Sequence, residues 1–386
     1  MNKKILVLCT ILMMVTALVF GCATPEEEAP SAAPTQLTSQ PDTTPEPVVE
    51  TTPEPEPEDD AVIPENMSPT TGRLDTTTTY GPVMVQIDNE GGGRARQMNL
   101  QQADVVYETL IEGVDTRLSA IFNDVIYKDD APDKLTTGPI RSSRYYHQWI
   151  QGEWDALYVH MGGPDSTNNP ESDIWGDSGD HVKQRINGAG KGTANSNMFY
   201  KNDRGESISD YAMTDVIADA EIYNYTPKER EPFQYYPLED YADEKEIEKI
   251  DLSFLKSPGF VSYTYDPATD LLTRYFNGDE SIDHATGDPI QVQNLIVQFT
   301  TVTTMPNDSP RQLVNMFGEG PAEFIIHGKH LTGTWKRADN SESTEYYLDN
   351  GDEVTFAPGN TWIAVHPNTK AVEVTYQDGS TYDSHE

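Results

Sequence analysis

Short apolar segments of strand length follow one another through the middle of the chain. Four of them, rich in branched or aromatic residues and ending near a charged residue or a glycine, are 83–87, 104–111, 116–122 and 156–160. Such runs are typical of buried β-strands. A helix is predicted before the last one, with Ser142 or Ser143 as N-cap. The segment 80–225 is therefore predicted to be an α/β (α+β) domain with a mixed sheet and few helices.

Strand-like segments recur after residue 258, now separated by turn dipeptides such as Asn277-Gly278 and Asp378-Gly379. The predicted strands are 261–265, 271–276, 290–299, 322–327, 331–337, 344–348, 353–356, 361–366 and 371–376. They predict a mostly antiparallel β domain over 258–386, with the Pro-, Tyr- and charge-rich segment 226–257 as a connector. Trp335 and Trp362 are suited to stacking on sugar rings, but core packing is the favoured interpretation.

The first residues have the pattern of an export signal. Lys3 and Lys4 precede an apolar stretch that ends at Val19-Phe20-Gly21-Cys22, and this stretch is too short for a typical membrane span. The end of the stretch resembles the lipobox of bacterial lipoproteins, which predicts a signal peptide over 1–21 and lipidation of Cys22. The alternative is an ordinary cleaved signal with a chance cysteine. With lipidation, the protein would be anchored to the outer face of the bacterial cytoplasmic membrane.

Amino-acid composition and charge narrow the possible partners and predict a stalk after the signal. Pro, Thr and acidic residues dominate the rest of 22–79, which predicts a disordered stalk. The net charge of -38 argues against nucleic acid as a partner and against attraction to an anionic membrane surface. It is compatible with cation binding, although a solvated extracellular surface is the simpler explanation. Only two cysteines occur, and Cys9 lies in the predicted signal, so the mature chain has no intrachain disulfide.

Polar residues near the ends of the predicted strands form the candidate ligand-binding site. They are Asp88, Asn89, Arg94, Asp104, Glu108, Arg117, Arg141, Ser142, Arg144 and His160. Arginines at a strand end or a helix N-terminus suit a phosphate or carboxylate, because the guanidinium fork donates two parallel hydrogen bonds. The alternative is that Arg141 and Arg144 form internal salt bridges to Asp88, Asp104 or Glu108.

Familiar catalytic motifs are mostly missing. The sequence has no His-Glu-x-x-His, no Gly-x-Ser-x-Gly elbow and no cysteine nucleophile. Acidic residues between 165 and 180 lack calcium-loop spacing. The catalytic residues and any metal ligands therefore stay unknown, and a divalent cation held by Asp88 or Asp104 is the one cofactor considered.

Several ordered motifs resemble those of the YerB-like bacterial lipoproteins. They include Ile87-Asp88-Asn89, Gln102-Ala103-Asp104, Val106-Tyr107-Glu108, Thr116-Arg117, Gly138-Pro139-Ile140-Arg141-Ser142-Ser143-Arg144, Tyr158-Val159-His160-Met161-Gly162-Gly163, Gly333-Thr334-Trp335-Lys336 and Pro358-Gly359-Asn360-Thr361-Trp362-Ile363. The resemblance implies an extracytoplasmic domain in two parts and brings no assigned activity. Ser196 stands where members of this family tend to have a histidine.

Two hypotheses follow. The first is a surface-anchored lipoprotein that binds an anionic cell-envelope component, such as a phosphate-bearing polymer or a lipid-linked precursor, without turnover. The second is a metal-assisted envelope enzyme acting on phosphoryl or glycosyl bonds. The arginines near acidic strand ends, in a chain poor in positive charge, favour the first.

Overall fold

The structure is a computed structural model that describes residues 63–113, 115–164, 173–174, 184–188, 212–222, 226–254, 260–306 and 310–385. The predicted signal peptide, Cys22 and most of the predicted stalk lie outside these residues. So do Ser196 and, apart from Asp173, the acidic residues between 165 and 180.

Strands dominate the described residues. In chain order they are β1 (Val83–Asp88), β2 (Val105–Leu110), β3 (Thr116–Phe122), β4 (Thr136–Thr137), β5 (Leu157–His160), β6 (Arg185–Asn187), β7 (Thr214–Asp215), β8 (Ile247–Leu252), β9 (Val261–Asp266), β10 (Leu271–Phe276), β11 (Asp279–Glu280), β12 (Gln291–Val292), β13 (Asn294–Thr300), β14 (Val302–Thr304), β15 (Gln312–Val314), β16 (Gly318–Ile326), β17 (Lys329–Arg337), β18 (Glu345–Leu348), β19 (Thr361–Pro367), β20 (Val372–Tyr376) and β21 (Thr381–Asp383). The α-helices are α1 (Gly91–Arg94), α2 (Asp124–Tyr127), α3 (His147–Trp154) and α4 (Val216–Ile222), with a 3₁₀ turn at Leu100–Gln102. The few helices and the many strands confirm the predicted fold class.

A ten-stranded mixed sheet is the centre of the fold. Its order is β18-β17-β16-β13-β19-β2-β3-β1-β5-β6. β2 pairs with β19 in parallel, and β19 pairs in the same way with β13. Strands from the two halves of the sequence therefore lie in one sheet, as two adjacent blocks that meet where β19 pairs with β2. A second sheet has the order β11-β10-β9-β8-β20-β21, with β12 paired to β10.

Both faces of the large sheet are covered. Along β1, Val83, Val85 and Ile87 pack into a core shared with the second sheet, whereas Met84 packs into another core with α3 and the segment around Phe233. All six residues of β1 are buried. Burial on both faces explains why β1 reads as a continuous apolar run rather than as an alternating one.

Two local predictions are wrong. The helix does not begin after Ser142 or Ser143 but at His147, because Ile140 bridges to Ile87 and the Arg141 amide donates to the Gln86 carbonyl, which keeps this stretch extended. The segment 353–356 forms only isolated bridges, not a strand.

The segment 226–257, interpreted as a connector, contains β8. Ile247, Ile250 and Leu252 are buried in this strand, while Glu248 is exposed and Lys249 and Asp251 are partly exposed. The strand pattern is not evident from the sequence, because the charged residues of 239–251 surround its few apolar positions.

Candidate functional site

Nine of the ten candidate residues lie near one edge of the large sheet, where edge means the side formed by the ends of its strands and not an outermost strand. β1 and β5 are parallel, and β3 runs antiparallel to both β1 and β2. The carboxyl ends of β1, β2 and β5 therefore meet the first residues of β3 at the same edge. This is the edge at which ligands bind in open sheets with parallel strands. Asp104 precedes β2 and lies at the opposite edge, so the structure does not bring it to the others.

Three of the predicted arginines form ion pairs at this edge. Arg141 Nε lies 2.7 Å from Asp88 Oδ2, and Arg117 Nη2 lies 3.0 Å from Glu90 Oε1. Arg144 binds Glu112 through Nε and Nη2, with Nη2 2.8 Å from Oε2. We call these six residues the arginine edge.

Ser142 joins two of these arginines through its backbone. The Ser142 carbonyl accepts a hydrogen bond from Arg117 Nη1 at 2.9 Å and a longer one from Arg144 Nη1. Arg117 and Arg144 are therefore close enough to repel each other. Burial, and then the charge of Arg144, lower the pKa of Arg117, which nevertheless stays protonated at neutral pH.

Solvent exposure differs between the two sides of the arginine edge. The Arg117 side chain is only 4% exposed and that of Arg144 13%, whereas the carboxylates of Glu90 and Glu112 are 37% and 23% exposed. Burial opposes ionisation of Glu112, but attraction and hydrogen bonds from Arg144 outweigh it and lower the pKa of Glu112. Asp88, by contrast, is completely buried beside Arg141.

Arg94 lies apart from these arginines. Its guanidinium carbon is 3.2 Å from the centroid of the Phe276 ring, and Nε donates to Asn89 Oδ1. This is a cation–π contact with the second sheet. Asn89 in turn donates through Nδ2 to Glu108 and Thr116.

Glu108 belongs to a buried ionic cluster. Its carboxylate accepts hydrogen bonds from Arg274 Nη2 and from Trp362 Nε1. Sequence inspection missed Arg274, because it lies 166 positions from Glu108. Trp335 is as deeply buried as Trp362, which supports the core-packing interpretation of both.

Asp104 lies in a separate buried network. Its Oδ2 accepts hydrogen bonds from the Thr70 hydroxyl and from the amides of Asn123 and Asp124. Burial, and then the nearby charge of Asp124, raise the pKa of Asp104 to about 8. A carboxyl in these surroundings is protonated at neutral pH, and Thr71 and Ser68 hold Asp124 in turn.

His147 and His160 are buried and neutral. Burial, followed by Arg185, lowers the pKa of His160 to about 3, and its Nδ1–H donates to the Gly162 carbonyl. His147 accepts the Arg144 amide at Nδ1, so Nε2 carries the proton toward Thr109. Burial, followed by the charge of Arg117, keeps the pKa of His147 well below its ordinary value.

Metal binding and membrane crossing can be assessed over the described ranges. Within them, no group of three or more His, Cys, Asp or Glu side chains has the arrangement of a metal site. No helix in the same part of the chain has the length and apolar character needed to cross a membrane.

Two parts of the chain match the two domains of one known protein family. Residues 70–226 match the N-terminal domain, and residues 250–363 the C-terminal domain, of a family described as "Protein of unknown function (DUF3048)". The chain therefore belongs to this two-part DUF3048 family.

A Bacillus subtilis (strain 168) protein named "Putative lipoprotein YerB" is 26% identical over 307 residues, which cover 78% of this chain and 86% of that protein. The crystal structure of YerB from Bacillus subtilis superposes with a TM-score of 0.63 at 25% identity, covering 78% of this chain and 97% of the other. The resemblance to YerB-like proteins expected from the sequence motifs is confirmed.

Proposed function

We propose that this protein is an exported, lipid-anchored binding protein whose arginine edge holds an anionic group of a cell-envelope component without turnover. The anchor is supported by the export pattern ending at Cys22 and by the name of the related YerB. In this proposal Cys22 carries the lipid, and the acidic stalk holds the binding domain away from the outer face of the cytoplasmic membrane.

One observation supports the binding site most directly: partly exposed carboxylates are paired with nearly buried guanidinium groups. Glu90 and Glu112 face solvent, while Arg117 and Arg144 beneath them are nearly buried. A glutamate that turns into water leaves a nearly buried guanidinium without its partner, which favours another anion in its place. An incoming phosphate or carboxylate can then take its place on the guanidinium fork.

The mutual repulsion of Arg117 and Arg144 favours a ligand that carries more charge than one carboxylate. A phosphate placed between them would neutralise both, whereas Glu90 now pairs with Arg117, and Glu112 is shared between Arg144 and Arg311, whose Nε lies 3.5 Å from Glu112 Oε1. Asp88 is fully buried and keeps Arg141 in position. The ligand class is therefore a phosphate-bearing envelope polymer or a lipid-linked phosphate.

Equilibrium binding tests the proposal. The full-length protein in detergent micelles is titrated with poly(glycerol phosphate), with a polyprenyl diphosphate and with neutral dextran, each with and without magnesium. We expect binding of a phosphate compound that weakens with salt, no binding of dextran, and no product. The variant Arg144→Gln should bind less, while Lys128→Gln, in an ion pair with Asp130 outside the arginine edge, should not.

Two outcomes contradict the proposal. If neither phosphate compound binds above the dextran control, the arginine edge is a structural salt-bridge network. If magnesium leads to product release from either compound, the enzyme hypothesis is favoured instead.

A further inference from the structure

A second region with a candidate binding charge lies beside β16 and β17, in the part of the large sheet built from the second half of the sequence. A cleft of about 920 Å³ opens between the segment 228–232, the first residues of β16 and the end of β17. Its volume is within the range of roughly 300–1,000 Å³ that is usual for ligand pockets. It shares no residue with the arginine edge, so it stands independently of the function proposed above.

Arg230 lines this cleft and is only 9% exposed. Its Nε is buried without a hydrogen-bond acceptor, and the described residues supply no ion-pair partner for its guanidinium. The neighbouring Arg337 differs, because it pairs with Glu153 at 3.1 Å and donates to the Trp149 carbonyl. A buried charge without a partner is costly. Arg230 therefore points to an anionic group that enters the cleft from outside.

The rim of the cleft has the opposite charge. The exposed acidic side chains that line it are Glu229, Glu231, Glu319, Glu342, Glu345 and Glu353, against two exposed basic ones, Lys228 and Lys336. Burial, and then the charge of Glu345, raise the pKa of Glu353. Glutamates in such numbers repel a polyanion and favour a ligand with positive charge at its outer part.

We propose that this cleft binds the carboxyl-terminal end of a basic peptide. The terminal carboxylate lies on the Arg230 guanidinium, where the fork geometry allows two hydrogen bonds. A lysine or arginine side chain one or two residues earlier lies against Glu345 and Glu353, which relieves the repulsion between these carboxylates. Because the other buried arginine of the cleft, Arg337, is paired with Glu153, Arg230 and the acidic rim select a ligand with one anionic end over a polyphosphate.

Calorimetric titration of the full-length protein tests this inference. The probes are the tripeptide Ala-Lys-Ala with a free carboxylate, the same tripeptide as its amide, and inorganic phosphate. We expect the free tripeptide to bind and the amide to bind at least about tenfold more weakly, equivalent to the loss of about 1.4 kcal/mol. Phosphate, which the arginine edge is proposed to bind, should bind equally to the unaltered protein and to Arg230→Gln. Equal affinity of the free tripeptide and its amide would overturn the inference.

Two variants locate the site. Arg230→Gln should lose the preference for the free carboxylate, and Glu345→Gln should weaken binding of Ala-Lys-Ala but not of Ala-Ala-Ala. Arg230→Gln should also keep or raise the melting temperature, since it removes an unpaired buried charge. If Arg230→Gln binds both tripeptides as the unaltered protein does, or if it unfolds because the arginine has a structural role, the inference is wrong.

Discussion

Glu108 of β2 and Arg274 of β10 form an ion pair that is closed to solvent. Arg274 Nη2 lies 3.0 Å from both carboxylate oxygens, and the two side chains are 0% and 1% exposed. The pair joins the large sheet to the second sheet. Trp362 Nε1 completes the hydrogen bonding of the carboxylate from β19.

Removing one partner of this pair should destabilise the protein strongly. We expect Glu108→Gln or Arg274→Met to lower the free energy of unfolding by about 3–5 kcal/mol, because the remaining polar group stays buried. Urea unfolding monitored by tryptophan fluorescence measures this. Lys128→Gln, from a pair that is 31% and 86% exposed, serves as the control and should change stability by less than about 1 kcal/mol. A comparable small effect of both core substitutions would show that the pair does not hold the sheets together.

Asp104 should make stability depend on pH. Its pKa in the folded protein is raised to about 8, so the folded state keeps a proton that the unfolded state releases above its ordinary pKa of 3.8. The free energy of unfolding should therefore fall as pH rises from about 4 to about 8, at up to about 1.4 kcal/mol per pH unit from this group.

The variant Asp104→Asn isolates this contribution, because its amide stays neutral. Relative to the unaltered protein, the variant should become more stable as pH rises from 5 to 8. Parallel pH profiles for the two proteins would mean that Asp104 is ionised in the folded state.

Two glycines of α1 make a matched pair. A Cβ on Gly93 would lie 1.9 Å from Asp88 Oδ2, the atom that binds Arg141, whereas a Cβ on Gly91 would meet nothing within 4 Å. Gly93→Ala should therefore displace the buried carboxylate and cost about 1–3 kcal/mol. Gly91→Ala should be neutral or stabilise the protein by up to about 1 kcal/mol. Thermal unfolding of both variants checks this, and equal melting temperatures would contradict the geometry.

Local pattern was enough for part of the fold. β1, β2 and β3 were predicted within two residues of their ends, because both faces of the sheet bury branched side chains. The start of α3 was not, since Ile140 is held by pairing with β1 rather than by its own sequence. Long-range pairing with a neighbouring strand overrides local capping signals.

The candidate site was likewise predictable only in part from the sequence. Strand ends could be recognised from the sequence, but not which edge of the sheet each would reach. Asp88 and Asp104 both flank predicted strands, yet Asp88 ends β1 and Asp104 precedes β2, so they lie at opposite edges. Arg274 and Arg230 are isolated in sequence, and only the folded chain brings them to Glu108 and to the cleft.

Cys22 should carry the membrane anchor. We expect the unaltered protein to take up labelled fatty acid and to sediment with membranes when expressed in a bacterium that processes lipoproteins. Cys22→Ser should lose the label and move to the soluble fraction, whereas Cys9→Ser should behave as the unaltered protein does, because it lies within the predicted signal. Label retained in Cys22→Ser would place the lipid elsewhere.

The most direct test of the binding proposal compares two substitutions within one ion pair. Arg144 and Glu112 form the bidentate contact at the arginine edge, and only the arginine is proposed to touch the ligand. Titration with poly(glycerol phosphate) at fixed salt should therefore give weaker binding for Arg144→Gln and tighter binding for Glu112→Gln, each by about tenfold or roughly 1.4 kcal/mol. Changes of the same sign in both variants, or no change in either, would contradict it.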